Sequence, residues 1–118
     1  MYDEYKDRVQ FLLIYISEAH PSDGRLGRKN QREGILIPKH LSYEDRVKVC
    51  SLAKSNLEIE MPALVDGMDN AVNIAYSAHP DRLYLVDTGG RIAVRGEKGP
   101  RGFRPSIENV EKWLKANL

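Results

Sequence analysis

Apolar residues fall along this chain in short blocks separated by charged or glycine-rich stretches, and the first block is the longest. Seven of the eight residues from 9 to 16 are apolar or aromatic. A continuous run of that length, with β-branched and aromatic members, predicts a buried strand covered on both faces by helices. Residues 1–8 ahead of it are charged and helix-compatible but lack a capping residue, so they read as the closing turns of a helix. Behind the run the chain turns polar at once, through Ser17, Glu18, Ala19 and His20 into a Pro21, Ser22, Asp23, Gly24 turn. Residues 20–33 then form a loop rich in Arg25, Arg28, Lys29 and Arg32, either an anion-attracting lip or a plain solvated loop.

Beyond a brief extended piece at 35–37, Ser42 predicts the cap of a helix running to about residue 55. Asp45 lies in its first turn, and Tyr43, Val47 and Cys50 make an inward stripe. Residues 59–66 read as a short strand with Pro62 near its start, a place where a missing N–H is tolerated. A short helical stretch over 69–78 is broken by Pro80. Residues 83–86 and 92–94 are apolar runs around Asp87, Thr88, Gly89 and Gly90, the clearest hairpin signal in the chain. After a glycine-rich loop over 96–102, Ser106 predicts the cap of a last helix with Ile107, Val110, Trp113 and Leu114 on one face. This order of elements predicts an α/β layered domain.

At 118 residues the chain is expected to be one small domain. A net charge of +1 argues against a general nucleic-acid binder. No stretch approaches the roughly 20 apolar residues of a membrane-spanning helix, and no signal peptide is recognisable, so no membrane partner and a cytoplasmic location are expected. The single cysteine excludes an internal disulfide, and with His20, His40 and His79 it forms no zinc-site spacing.

Glu18 and His20 are the most chemical residues of the pair of elements they separate. Two residues apart on an extended chain they point to one side, where they can handle a proton together; equally, His20 and Asp23 can be satisfying a turn. His40 stands between Pro38 and a helix cap, a position that suits either an exposed loop histidine or a ligand contact. Cys50 lies mid-helix among apolar neighbours, away from the helix N-terminus or cation that activates a thiol, and reads as a core residue. Asp66, Asp69 and Asn70 lack the glycine and distal glutamate of a calcium loop. Asp81 and Arg82 read as a surface ion pair of little energetic value.

The string YISEAHPSDG over residues 15–24 closely resembles a signature of the iodothyronine deiodinases and their bacterial relatives, a selenocysteine branch of the thioredoxin fold. IPKHLSYEDRV (37–47), MPALVDGMDN (61–70), DRLYLVDTGGRI (81–92), GEKGPRGF (96–103) and VEKWL (110–114) follow the same family in order. The resemblance implies an α/β, thioredoxin-like fold lacking its first core strand and the start of its first helix. The absent strand would lie between the strand of residues 9–16 and the strand holding Ala63 and Val65, leaving two unpaired apolar edges inside the sheet. Pro62 then corresponds to a family proline that is usually cis.

By the same resemblance Glu18 and His20 are the catalytic proton-handling pair. Tyr15, His40 and Lys98 are substrate-binding, Lys98 standing where the family carries a carboxylate-binding arginine. The implied activity is reductive dehalogenation of a halogenated aromatic, with no bound cofactor and an external thiol as reductant, by a selenocysteine or cysteine that this chain does not carry. The chain alone is then inactive. A thiol or peroxide reductase acting on a peroxide substrate is the alternative with the same chemistry, and a non-catalytic module or homodimer joined through a sheet edge is the alternative from another class.

Overall fold

The computed structural model describes residues 1–17 and 41–118. Their elements run α1 (Tyr2–Tyr5), β1 (Leu13–Tyr15), α2 (Tyr43–Asn56), β2 (Ala63–Val65), α3 (Ala71–Tyr76), β3 (Tyr84–Val86), β4 (Ile92–Arg95) and α4 (Phe103–Asn117). Helix and sheet are mixed, as an α/β reading requires, and contacts gather the chain into two units, Met1–Ile74 and Ala75–Leu118.

In the first unit, β1 and β2 form a parallel pair with Leu13 opposite Ala63, Ile14 opposite Leu64 and Tyr15 opposite Val65. This overturns the expectation of a gap between them. The facing backbone groups of the two strands are used on each other, with Leu13 N–H donating to the Pro62 carbonyl at 2.9 Å and Asp66 N–H to the Tyr15 carbonyl at 2.8 Å. Unmet backbone groups are costly enough that such pairing is the expected response to an open edge.

The same register explains why the strand is three residues long and not eight. Leu12 would fall opposite Pro62, which has no N–H to continue the ladder, and beyond Tyr15 the partner chain turns away at Asp66. Leu13, Ile14 and Tyr15 are half-buried rather than enclosed, while Leu12 is 54% and Leu64 52% exposed. Helix α2 packs against β2. The cis X–Pro bonds among the described residues are His79–Pro80 and Gly99–Pro100, so the Met61–Pro62 bond has the trans form that is the default for such a bond.

Ser42 caps α2 as its sequence predicts, its hydroxyl accepting from Asp45 N–H at 3.1 Å. Cys50 is buried, but the stripe is rotated: Tyr43 is 48% exposed and the buried residue one turn before Cys50 is Arg46. The cause is polar, because the Arg46 guanidinium reaches three oxygens of the turn after β2 and draws its own face inward. Among the described residues no helix is long and apolar enough to cross a membrane.

The second unit is a hairpin and a helix. β3 and β4 pair antiparallel, with Leu85 opposite Val94 and Val86 opposite Ile92, so Ala93 is the extra residue of a bulge. In the connection, Asp87 Oδ1 accepts from the N–H groups of Gly89 (2.9 Å) and Arg91 (3.0 Å), and Gly90 takes φ = 80°, a conformation open to glycine. Helix α4 packs on β4, and Leu85, Val110 and Leu114 are buried.

Ser106 does not cap α4. The helix begins at Phe103 after Gly102, with Pro105 tolerated in its first turn, and the buried Ser106 hydroxyl donates to the Gly102 carbonyl and accepts from Glu97 N–H at 3.0 Å. Arg82 is likewise no ion-pair partner of Asp81. Its guanidinium donates to the Gly96 carbonyl at 2.7 Å and to the carbonyls of Tyr76 and Ser77 at the end of α3.

Candidate functional site

Parallel strands collect side chains and loop starts at their carboxyl ends, and this is where the first unit carries its polar network. Tyr15 closes β1, half-buried, with its carbonyl held by Asp66 N–H. Two residues on, the Ser17 hydroxyl accepts from the Asn73 carboxamide at 3.5 Å.

Asp66 is the hub. It is 2% exposed, its Oδ1 accepts from Val72 N–H at 3.0 Å and its Oδ2 from Asn73 N–H at 2.9 Å. A carboxylate on the first turn of a helix meets both the orphan N–H groups and the positive end of the helix dipole. One residue thereby ties the end of β2, the end of β1 and the start of α3 together.

Arg46 secures the connecting turn. At 3% exposure its Nη1 donates to the carbonyls of Gly67 (2.8 Å) and Asp66 (3.3 Å) and to Asn70 Oδ1 (3.2 Å). Asn70 adopts φ = 56°, which asparagine accepts more readily than most residues. The Gly67 carbonyl also accepts from Asn70 N–H at 2.9 Å, so the turn is closed by a backbone bond and held to α2 by the guanidinium.

Of the residues that sequence singles out, Glu18, His20 and His40 lie outside the described residues. Tyr15 closes β1, within the run of residues 9–16. Lys98 belongs to the second unit, exposed in the loop over 96–102. That loop is closely built: Gly99 N–H donates to the Asp81 carbonyl, Gly102 N–H to the Lys98 carbonyl, and the Asp81 carboxylate lies so near Gly99 that no Cβ fits there. Cys50 is a free, buried thiol whose pKa burial pushes up, with Lys54 acting more weakly in the other direction. Among the described residues no cluster of three His, Cys, Asp or Glu side chains is placed to hold a metal ion.

Sequence reading missed Arg46 and undervalued Asp66. A lone Asp directly after an apolar triplet and just ahead of a short helix is a usable cap signal. Its two N–H partners, six and seven residues away, are beyond the local patterns that define caps.

The iodothyronine deiodinase family model matches residues 1–118. The chain is 40% identical over 114 residues to a thyroxine 5-deiodinase of Sparus aurata, covering 94% of this chain and 39% of that protein. It is 36% identical over 111 residues to a thyroxine 5-deiodinase of Gallus gallus, covering 94% and 40%. With a type II iodothyronine deiodinase of Rattus norvegicus it shares 34% identity over 118 residues, covering 98% and 43%. The chain thus spans about two fifths of the length of these relatives. The collinear motifs, the strand end that carries the first of them and a family match from the first residue to the last agree, and the chain belongs to the iodothyronine deiodinase family.

Proposed function

We propose that this chain is the proton-handling and substrate-side part of a reductive deiodinase, acting on an iodinated aromatic of the thyroxine type with a selenol or thiol nucleophile supplied from outside this sequence. The observation that carries the proposal is the 40% identity to a thyroxine 5-deiodinase across 94% of this chain. In this chemistry a selenolate or thiolate attacks iodine and the carbon–iodine bond breaks. The carbon takes a proton while a chalcogen–iodine bond forms. Two equivalents of an external thiol then reduce that bond, releasing iodide and a disulfide.

Glu18 and His20 deliver the proton in this reading, Tyr15 and His40 border the aromatic ligand, and Lys98 faces its carboxylate. The nucleophile is not Cys50, the one cysteine of the sequence, because its thiol is buried mid-helix and held protonated by that burial. The thioredoxin-like arrangement is part of the same proposal, supported by the parallel β1–β2 pair with Tyr15 and Asp66 at its carboxyl end.

Titrating the isotopically labelled 118-residue chain with thyroxine tests the binding half. Saturable shifts are expected at Tyr15 and Lys98, weakened by Lys98→Ala for thyroxine and unchanged by it for an analogue without the carboxylate. No saturable shift refutes the reading. The purified chain with excess dithiothreitol is expected to release no iodide; release that Cys50→Ser abolishes would overturn the external nucleophile.

A further inference from the structure

Lys98 is exposed, yet the backbone on both sides of it is held. Glu97 N–H donates to the Ser106 hydroxyl at 3.0 Å and Gly99 N–H to the Asp81 carbonyl at 3.0 Å, while the Lys98 carbonyl itself accepts from Gly102 N–H at 3.2 Å. Just upstream Gly96 is buried, its N–H donating to the Leu83 carbonyl at 2.8 Å and its carbonyl accepting from Arg82 Nε at 2.7 Å. A lysine that only kept the surface soluble needs none of this, since surface loops are ordinarily the least constrained backbone. One atom closes the loop. Ser106 Oγ, on a residue 2% exposed, accepts from Glu97 N–H and donates to the Gly102 carbonyl at 2.6 Å, joining the residue before Lys98 to the residue that starts α4. The fit leaves no slack: a Cβ on Gly102 would meet the Lys98 carbonyl oxygen and the Glu97 Cβ, each at 2.6 Å. Helix α4 has 15 residues and packs on β4, so the hydroxyl is mounted on a firm support.

We propose that Ser106 is a positioning residue for Lys98: its buried hydroxyl ties Glu97 to Gly102 and so fixes the loop from which Lys98 presents its ammonium to the carboxylate of the ligand. The proposal rests on the reading of Lys98 as that carboxylate's partner. A lysine is a point charge on a flexible stem and lacks the planar fork that pre-orients an arginine. A fixed backbone origin removes part of the freedom that the side chain must otherwise give up on binding.

The test is a calorimetric titration of the full chain with thyroxine and, separately, with an analogue lacking the carboxylate. Ser106→Ala deletes only Oγ and leaves a residue that helices favour. It is expected to weaken thyroxine binding by about two- to tenfold, the range that ordering one long side chain costs. The analogue's affinity should not change, and thyroxine should lose nothing further when Ser106→Ala is added to Lys98→Ala, the signature of one shared effect. Gly102→Ala pushes on the Lys98 carbonyl without touching the buried hydroxyl, and is expected to give the same carboxylate-specific loss; it decides the question should Ser106→Ala fail to fold. Equal losses for the two ligands, a loss that persists in the Lys98→Ala background, or no loss at all overturns the positioning role, since a merely structural contact would produce those. A Lys98→Ala variant that does not discriminate the two ligands brings down the reading of Lys98 and the proposal with it. A discriminating Lys98→Ala beside an indifferent Ser106→Ala sinks the positioning role alone.

Discussion

Asp66→Ala is the substitution that most directly measures what holds the first unit together. The side chain is 2% exposed and accepts two N–H bonds at 3.0 and 2.9 Å from the first turn of α3. Hydrogen bonds to a charged partner contribute about 1.5–3 kcal/mol each, and loss of a helix N-cap costs about 1 kcal/mol in typical hosts. The two bonds share one carboxylate and one helix end, so their sum is an upper bound, and about 2–4 kcal/mol is the expected loss. Small domains have only about 5–15 kcal/mol to lose. A helix of six residues has no independent stability, so α3 is expected to fray in the variant. Asp66→Asn keeps one acceptor and turns an amide toward the second N–H, and should fall between parent and Asp66→Ala. Urea unfolding followed by far-ultraviolet circular dichroism gives the difference, with amide exchange at Val72 and Asn73 locating it. A loss under about 0.5 kcal/mol, with those amides still protected, would refute the assignment of Asp66 as the hub.

Burial raises the Cys50 pKa above its ordinary value of 9.0. Below that pH both folded and unfolded chains keep the proton; above it the unfolded chain releases it first, so stability should fall as pH climbs past 9.0 and Cys50→Ala should remove that part of the slope, as read from unfolding midpoints. Leu114 is 1% exposed, and Leu114→Ala is expected to cost about 2–5 kcal/mol in urea unfolding, against under about 0.5 kcal/mol for the 80%-exposed Leu41→Ala. Gly99→Ala should destabilise the chain because its Cβ meets the Asp81 carboxylate, and Asp81→Ala should recover most of the loss in the double variant; additive losses would show that the clash is not the cause.

What could be read from sequence was mostly what is decided locally. The Ser42 cap with Asp45 N–H, the Asp87 turn with Gly90 and the apolar face of α4 through Val110 and Leu114 each depend on residues a few positions apart. The misreadings involve partners that the local pattern does not announce, in two cases far along the chain. Residues 9–16 look like one long strand until Pro62, some fifty residues later, ends the ladder at Leu13. Arg46 resembles a solvated helix residue until its carbonyl partners at 66 and 67 are placed. Ser106 has the composition of a cap, but Glu97 N–H and the Gly102 carbonyl claim its hydroxyl from inside the helix. The motif was legible and the geometry around it was not: Tyr15 falls within the strand that residues 9–16 predict, whereas Asp66 reaches N–H groups six and seven residues on, beyond the spacing of a local cap.

The direct β1–β2 ladder has a consequence for assembly. Three residue pairs zip these strands shut, and their facing backbone groups are already committed to each other. A third strand meeting this chain therefore has two routes: adding at an outer rim, which leaves the zipper intact, or invading between the strands, which must first unzip it. Each backbone bond contributes about 1 kcal/mol, so the short zipper is a low threshold rather than a wall. Invasion would proceed as strand displacement, with a rate set by transient opening of Leu13 to Tyr15 from Ala63 to Val65.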